Sequence, residues 1–114
     1  MMEKGFETGL DYAMCIEKPF IKGLTRALVL LALKEGRKKG YQIYRYIVNV
    51  IGLKTSLSTT YTILRELTNK GFIERSGDLY HLTEKGMNAL QAFISRFNKI
   101  KLFLEESSKH IKST

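Results

Sequence analysis

Ser56 to Ile73 read S-L-S-T-T-Y-T-I-L-R-E-L-T-N-K-G-F-I, and no other stretch of the chain says as much about the fold. It begins with a hydroxyl residue suited to cap a helix and closes near Gly71, suited to stop one. Between them Leu57, Thr60, Leu64 and Leu67 recur at spacings of three and four, which predicts one face turned to a core. The other face carries Ser58, Thr59, Thr62, Arg65, Glu66 and Asn69, short hydrogen-bonding side chains around one guanidinium. A helix that is apolar behind and finely polar in front suits a major groove. An ordinary solvated amphipathic helix has the same pattern, so the flanking segments must decide.

Upstream, residues 20–34 form an apolar helix with Leu24, Ala27, Leu28, Leu31 and Ala32 on one side. Leu30 and Leu33 widen that surface until most of the helix must be buried. The basic cluster Arg37-Lys38-Lys39 follows in a connection, solvated or touching phosphate. Gly40 to Ile51 is a second helix, with Ile43, Ile47 and Ile51 spaced by four. Gly52-Leu53-Lys54-Thr55 then leads into the first-quoted stretch, giving helix, Gly-bearing turn and helix.

Downstream the period changes to two. Phe72 to Arg75 and Leu79 to Leu82 read as short strands around Ser76-Gly77-Asp78, a hairpin that would form a wing. His81 lies in the second strand, and with two histidines in the chain a metal role for it is not expected. Thr83 caps a last helix in which Leu90, Phe93, Phe97, Ile100 and Leu104 alternate by three and four, with Phe103 beside them. Such a helix, ending near residue 108, would be roughly 37 Å long, more than the domain can cover. Each large apolar side chain left wet forgoes about 1.5–3 kcal/mol, so a second copy of the helix is the expected cover. Folding back on its own domain is the alternative.

The chain of 114 residues is one small domain, 44% hydrophobic and 26% charged, as in ordinary soluble proteins. No run is long and apolar enough to span a bilayer, so no membrane role is expected. The single cysteine, Cys15, cannot form an internal disulfide, which fits a reducing cytoplasm. Residues 1–19, with a weak stripe of Phe6, Leu10, Ala13 and Met14, read as an arm or short helix carrying two basic and four acidic side chains. Residues 20–75 carry eleven basic and three acidic ones, so the net +8 gathers around the first-quoted helix. A field of that kind attracts polyanions. No acid/base pair, nucleophile site or phosphate-cradling loop suggests an enzyme, and no cofactor is expected.

Three motifs in this order resemble the PadR family of winged-helix transcriptional regulators: G-Y-Q-I-Y at Gly40 to Tyr44, S-x-S-T-T-Y-x-x-L-R-E-L-x-x-K-G-F-I from Ser56, and Y-H-L-T-E-K-G from Tyr80 to Gly86. Small winged-helix proteins of archaea and their viruses share them. The resemblance covers about residues 20 to 90 and implies that the Ser56 stretch is a recognition helix. In it Thr59 and Tyr61 match the family's Thr and Tyr, and Arg65 its basic position one turn on. It also implies dimerisation through the last helix and leaves room for a small-molecule effector, though no residue here marks one. Leu57 and Ser58 stand where the family has Pro and Gly, Thr62 where a second Pro is common, and Lys39 where His is usual. The wing lacks the family's arginines, Arg75 being the nearest.

The expected fold is therefore mostly α with a small β-hairpin wing, an α+β winged helix-turn-helix over residues 20–83. An arm (1–19) precedes it, and a dimerisation helix with a frayed tail from Ser107 (84–114) follows. The expected function is a sequence-specific double-stranded DNA-binding transcriptional regulator, a repressor, working as a homodimer on an inverted repeat. Ser58, Thr59, Thr62 and Arg65 would read bases, with Arg65 foremost. Arg37, Lys38, Lys39, Lys54, Tyr61 and Arg75 would hold phosphates. Leu90, Phe93, Phe97, Ile100, Phe103 and Leu104 would form the dimer seam. The rival is a winged-helix protein–protein assembly module, which Glu66 and Glu74 beside the reading face would favour by repelling phosphates.

Overall fold

The structure, a computed structural model, describes residues 19–112, with side chains through Lys109. The arm expected before Pro19, Cys15 included, lies outside them. Helix α1 covers residues 19–34, as its dense apolar content requires. Val29, Ala32 and Leu33 are buried in the core, and Leu28 and Leu31 pack partly against it. The turn beyond α1 closes through Gly36 N–H on the Leu33 carbonyl at 3.1 Å.

The basic cluster is not wholly a loop. Lys38–Lys39 form a short strand, β1. It pairs antiparallel with a strand forty residues on, Lys38 opposite Tyr80, because chain leaving α1 finds the free edge of the hairpin there. The expected two-stranded wing is thus a three-stranded sheet. The second helix also differs from one plain α-helix. α2, Gly40–Arg45, widens into a π-helical stretch, Tyr46–Ile51. Its end is marked by Gly52 N–H reaching five residues back to Ile47 at 3.0 Å. Ile43 and Ile47 are fully buried, while Ile51 is only partly so.

α3, Leu57–Asn69, starts as expected, with the Ser56 hydroxyl accepting from Thr59 N–H. Its core side is Thr60, Ile63, Leu64 and Leu67. Leu57, expected in the core, is 38% exposed, because in the first turn it lies outside the arc that the other helices cover. Ile63 occupies that arc instead. Thr60 is tolerated inside because its hydroxyl donates to the Ser56 carbonyl at 3.0 Å. The helix ends in a Schellman motif. Phe72 N–H bonds to Leu67 O, Gly71 N–H to Thr68 O, and Gly71 takes φ +83°.

β2, Ile73–Ser76, and β3, Leu79–Leu82, flank a two-residue turn at Gly77-Asp78, and the sheet order is β1-β3-β2. Only Gly77 has positive φ, as a II′ turn asks of its first residue. Ile73 and Tyr80 seal the hairpin onto the helices.

α4, Glu84–Lys112, is capped as expected, Gly86 N–H donating to the Thr83 hydroxyl at 3.0 Å. The Thr83 hydroxyl itself donates toward the Gly71 and Phe72 carbonyls at 2.7 and 2.9 Å. Helix and α3 terminus touch so closely that a Cβ on Gly86 would lie 2.0 Å from Phe72 O. Lys85 reinforces the joint, donating to the Lys70 carbonyl at 2.7 Å.

Two expectations for α4 need correction. Leu90, assigned to the dimer seam, is 2% exposed and belongs to the core, because Gly86 presses this first part of the helix onto its own domain. The helix also continues through Lys112 instead of fraying at Ser107. Its 29 residues make a rod of about 43 Å, which sets the 55 Å long axis. Phe93 and Phe97 are partly covered, Phe97 stacking on Phe20 of α1 at 6.3 Å and on Phe93 at 5.8 Å.

Gly86→Ala should destabilise the fold by about 3 kcal/mol, since the obstacle is a backbone carbonyl and not a movable side chain. Gly23→Ala, where the added methyl meets nothing within 4 Å, should instead gain roughly 0.5–1 kcal/mol of helix propensity. Urea denaturation of both variants checks the contrast.

Candidate nucleic-acid interface

The exposed side of α3 presents Ser58, Thr59, Tyr61, Thr62, Arg65 and Asn69. Its hydroxyls are partly committed to the helix. The Ser56 hydroxyl donates to the Thr59 hydroxyl at 2.8 Å, so the Thr59 proton stays free to donate outward. Thr62 donates to the Ser58 carbonyl at 3.1 Å and so offers its lone pairs and methyl. Donor and acceptor stand one turn apart on one surface.

A cleft lies on each side of this ridge. The larger, about 690 Å³, runs between α1 and α3 and brings Lys22, Arg26 and Lys54 beside Ser58, Thr59 and Thr62. The smaller, about 230 Å³, lies between α3 and the hairpin, where Tyr61, Arg65, Asn69 and Arg75 meet. The expected base readers are therefore divided. Ser58, Thr59 and Thr62 adjoin the α1 cleft, and Arg65 turns to the wing. Lys22 was not singled out from sequence, since nothing local shows that α1 flanks α3.

The acidic residues near this surface each meet a neighbouring side chain. Arg26 grips Glu66 with two bonds, Nε to Oε2 at 2.7 Å and Nη2 to Oε1 at 2.8 Å. That hydrogen bonding holds the Glu66 carboxyl below its ordinary range against the opposing effect of burial, and it raises Arg26. Glu66, read as a residue of the reading face, is thus a brace between α1 and α3. Glu74 meets His81 Nε2 at 3.0 Å across the hairpin. Glu74 lies seven residues from His81 in the chain, and the register sets it directly opposite. Asp78 lies 3.5 Å from Lys39.

Of the expected phosphate ligands, Arg37, Lys54, Tyr61 and Arg75 are exposed. Lys38 is not available. Its ammonium donates 2.8 Å to the Ala32 carbonyl at the end of α1 and sits 5.3 Å from the Tyr46 ring centroid. Strand pairing turns it inward, where the carbonyls at a helix C-terminus attract a cation. Lys39 is exposed and leans to Asp78. No group of three or more metal-ligating side chains occurs among the described residues. None of the described helices is long and apolar enough to cross a membrane.

No protein-family model matches the chain, and no curated protein matches it in sequence. Solved structures do match. A transcriptional regulator from Clostridium thermocellum, Cth-833, aligns with a TM-score of 0.68 at 20% identity, over 79% of this chain and 95% of its own. Bacillus subtilis PadR aligns with a TM-score of 0.60 at 28% identity, over 64% of this chain and 42% of PadR. Streptococcus mutans smu.1704 aligns with a TM-score of 0.62 at 26% identity, over 72% and 83%. PadR in complex with operator DNA aligns with a TM-score of 0.56 at 26% identity, over 62% and 47%. The match therefore spans less than half the length of PadR. In fold the chain is a PadR-like winged helix.

Glu66→Gln should cost about 1 kcal/mol at neutral pH, the pair being roughly one-third exposed. A carboxyl with depressed folded pKa stabilises above its unfolded pKa, and the effect is lost as pH falls through the folded value. The stability gap between wild type and variant should accordingly close below the ordinary carboxylate range, as read from urea midpoints over a pH series.

Proposed function

We propose that this protein is a homodimeric, sequence-specific double-stranded DNA-binding transcriptional regulator, a repressor acting on an inverted repeat. The observation that carries the reading is the ridge of α3. Short donors and acceptors stand forward, cations line both flanking clefts, Glu66 and Asp78 are engaged by Arg26 and Lys39, and Glu74 is hydrogen-bonded to His81. PadR, similar in fold, has been solved with operator DNA, which supports the same class of partner. Ser58, Thr59 and Thr62 face base edges, where the Thr62 lone pairs suit an adenine or cytosine amine and its methyl a thymine methyl. Lys54, Arg37 and Tyr61 take phosphates, joined by Lys22 from α1.

The second copy is inferred from α4. Ile100, Phe103 and Leu104 are 55%, 72% and 60% exposed, a contiguous apolar surface continuing from Phe97 and Phe20. Two such helices packed about a two-fold axis cover each other and present two α3 ridges to one face of a duplex. The assembly-module alternative is less favoured, because Arg26 binds the Glu66 carboxylate and Glu74 is turned to His81 on the far face of the hairpin.

Binding to a random-sequence duplex at two salt concentrations tests the class, and no affinity at low salt would sink it. Lys54→Ala should weaken all duplexes alike and reduce the salt slope by about one. Lys38→Ala should leave that slope unchanged and lower stability instead, as its ammonium faces α1. Thr62→Ala should flatten the ranking of duplexes with little change on random sequence. Light scattering should find a dimer for wild type and a monomer for Phe103→Glu/Leu104→Glu.

A further inference from the structure

The cleft between α3 and the hairpin has a composition unlike that of the ridge. Tyr61, Arg65 and Asn69 enter it from α3, Arg75 and Tyr80 from the sheet, and no carboxylate lines it. Strand alternation explains the last point. Arg75 stands opposite Tyr80 on the face toward α3, while Glu74 and His81 stand opposite each other on the other face.

Both aromatic walls are fixed. The Arg75 Nε donates 2.7 Å to the Gly77 carbonyl, and its guanidinium lies 5.8 Å from the Tyr80 ring centroid. The wing arginine is thus laid back along the hairpin, its two terminal nitrogens left for an acceptor. The Tyr61 ring rests on the backbone of Gly40, where an added Cβ would come 2.5 Å from Cε1 and 2.8 Å from Oη. Tyr61 can occupy this seat because residue 40 has no side chain.

From this geometry we propose that the cleft is a clamp for one phosphodiester group of the duplex, held jointly by Arg65 and Arg75 with the Tyr61 hydroxyl as third donor. The proposal rests on the duplex-binding reading and reassigns Arg65 within it. A recess beside a helix lying in a major groove faces the groove wall, which is sugar and phosphate, whereas base edges face the ridge. A phosphate offers several acceptor oxygens to a site made of donors, and guanidiniums suit it by charge and shape. Arg65 then fixes register, and sequence preference falls to Ser58, Thr59 and Thr62.

The test measures affinity of the full chain for a random-sequence duplex and for the best duplex selected from a random pool. Arg65→Ala and Arg75→Ala should each weaken both duplexes by the same factor, about tenfold. The double variant should lose much less than the product, because either change alone already loosens the shared phosphate. Arg65→Lys should recover part of the loss. The clamp is overturned if Arg65→Ala lowers the ratio of selected to random affinity, or if the two losses multiply. It is also overturned if millimolar inorganic phosphate displaces duplex from wild type and not from Arg65→Ala, which would mark a free-anion site. Binding of neither duplex at low salt would remove the duplex reading and the clamp together, whereas retained binding with multiplying losses removes the clamp alone.

Discussion

The backbone joint where α3 stops and α4 starts holds the remaining structure in place. Gly71 turns left-handed, which lets Phe72 reach back to Leu67 and leaves the Gly71 and Phe72 carbonyls pointing at Thr83. Thr83 answers twice more, with its N–H on Phe72 O and its hydroxyl as the cap of α4. Gly86 completes the joint by letting α4 lie against the Phe72 carbonyl. The hairpin leaves and returns through this one point, so it stands beside α3 at a set distance. The wing-side cleft has a definite shape for that reason.

Electrostatics then decides what the shaped surface can hold. The excess positive charge of residues 20–75 would mean less if their three acidic side chains opposed it locally. Two of these, Glu66 and Glu74, are bonded to Arg26 and His81 and turned from the ridge. The Arg26–Glu66 ion pair is partly exposed, and such pairs contribute little to stability. Their consequence is positional: Arg65, Arg75, Lys22 and Lys54 are left lining clefts without a carboxylate among their wall residues. Arg26 adds a mechanical effect, since it ties α1 to α3 with two bonds and so gives the larger cleft its width.

Much of the fold was legible where the signal is local. The Ser56 and Thr83 caps act within three residues, Gly71 and Gly77 meet backbone needs at their own positions, and the Ile43–Ile47 spacing lies within one turn. Misreadings arose where a distant segment intervened. β1 exists because β3 has a free edge forty residues on, and that pairing swings Lys38 inward to Ala32. Leu57 and Ile63 both fit an apolar stripe, and the placement of the neighbouring helices chose Ile63. Leu90 and Ile100 share one heptad pattern, yet one is buried in its own domain and the other is bare, because coverage ends partway along α4. Periodicity cannot show where a neighbour stops.

The sequence by itself therefore determined the helices, their caps, the hairpin, the order of elements and the gathering of positive charge on the middle of the chain. These depend on neighbours within a few residues or on simple counting. Tertiary structure alone decided which side chain of each type is free to act. Lys38 was withdrawn and Lys22 brought forward, Glu66 and Glu74 were paired, and Arg65 was parted from Ser58, Thr59 and Thr62 to stand with Arg75. The physical reason is that hydrogen bonds and ion pairs reach only about 3–4 Å. Whether a charge is spent or available depends on what the fold brings within that distance, often from tens of residues away.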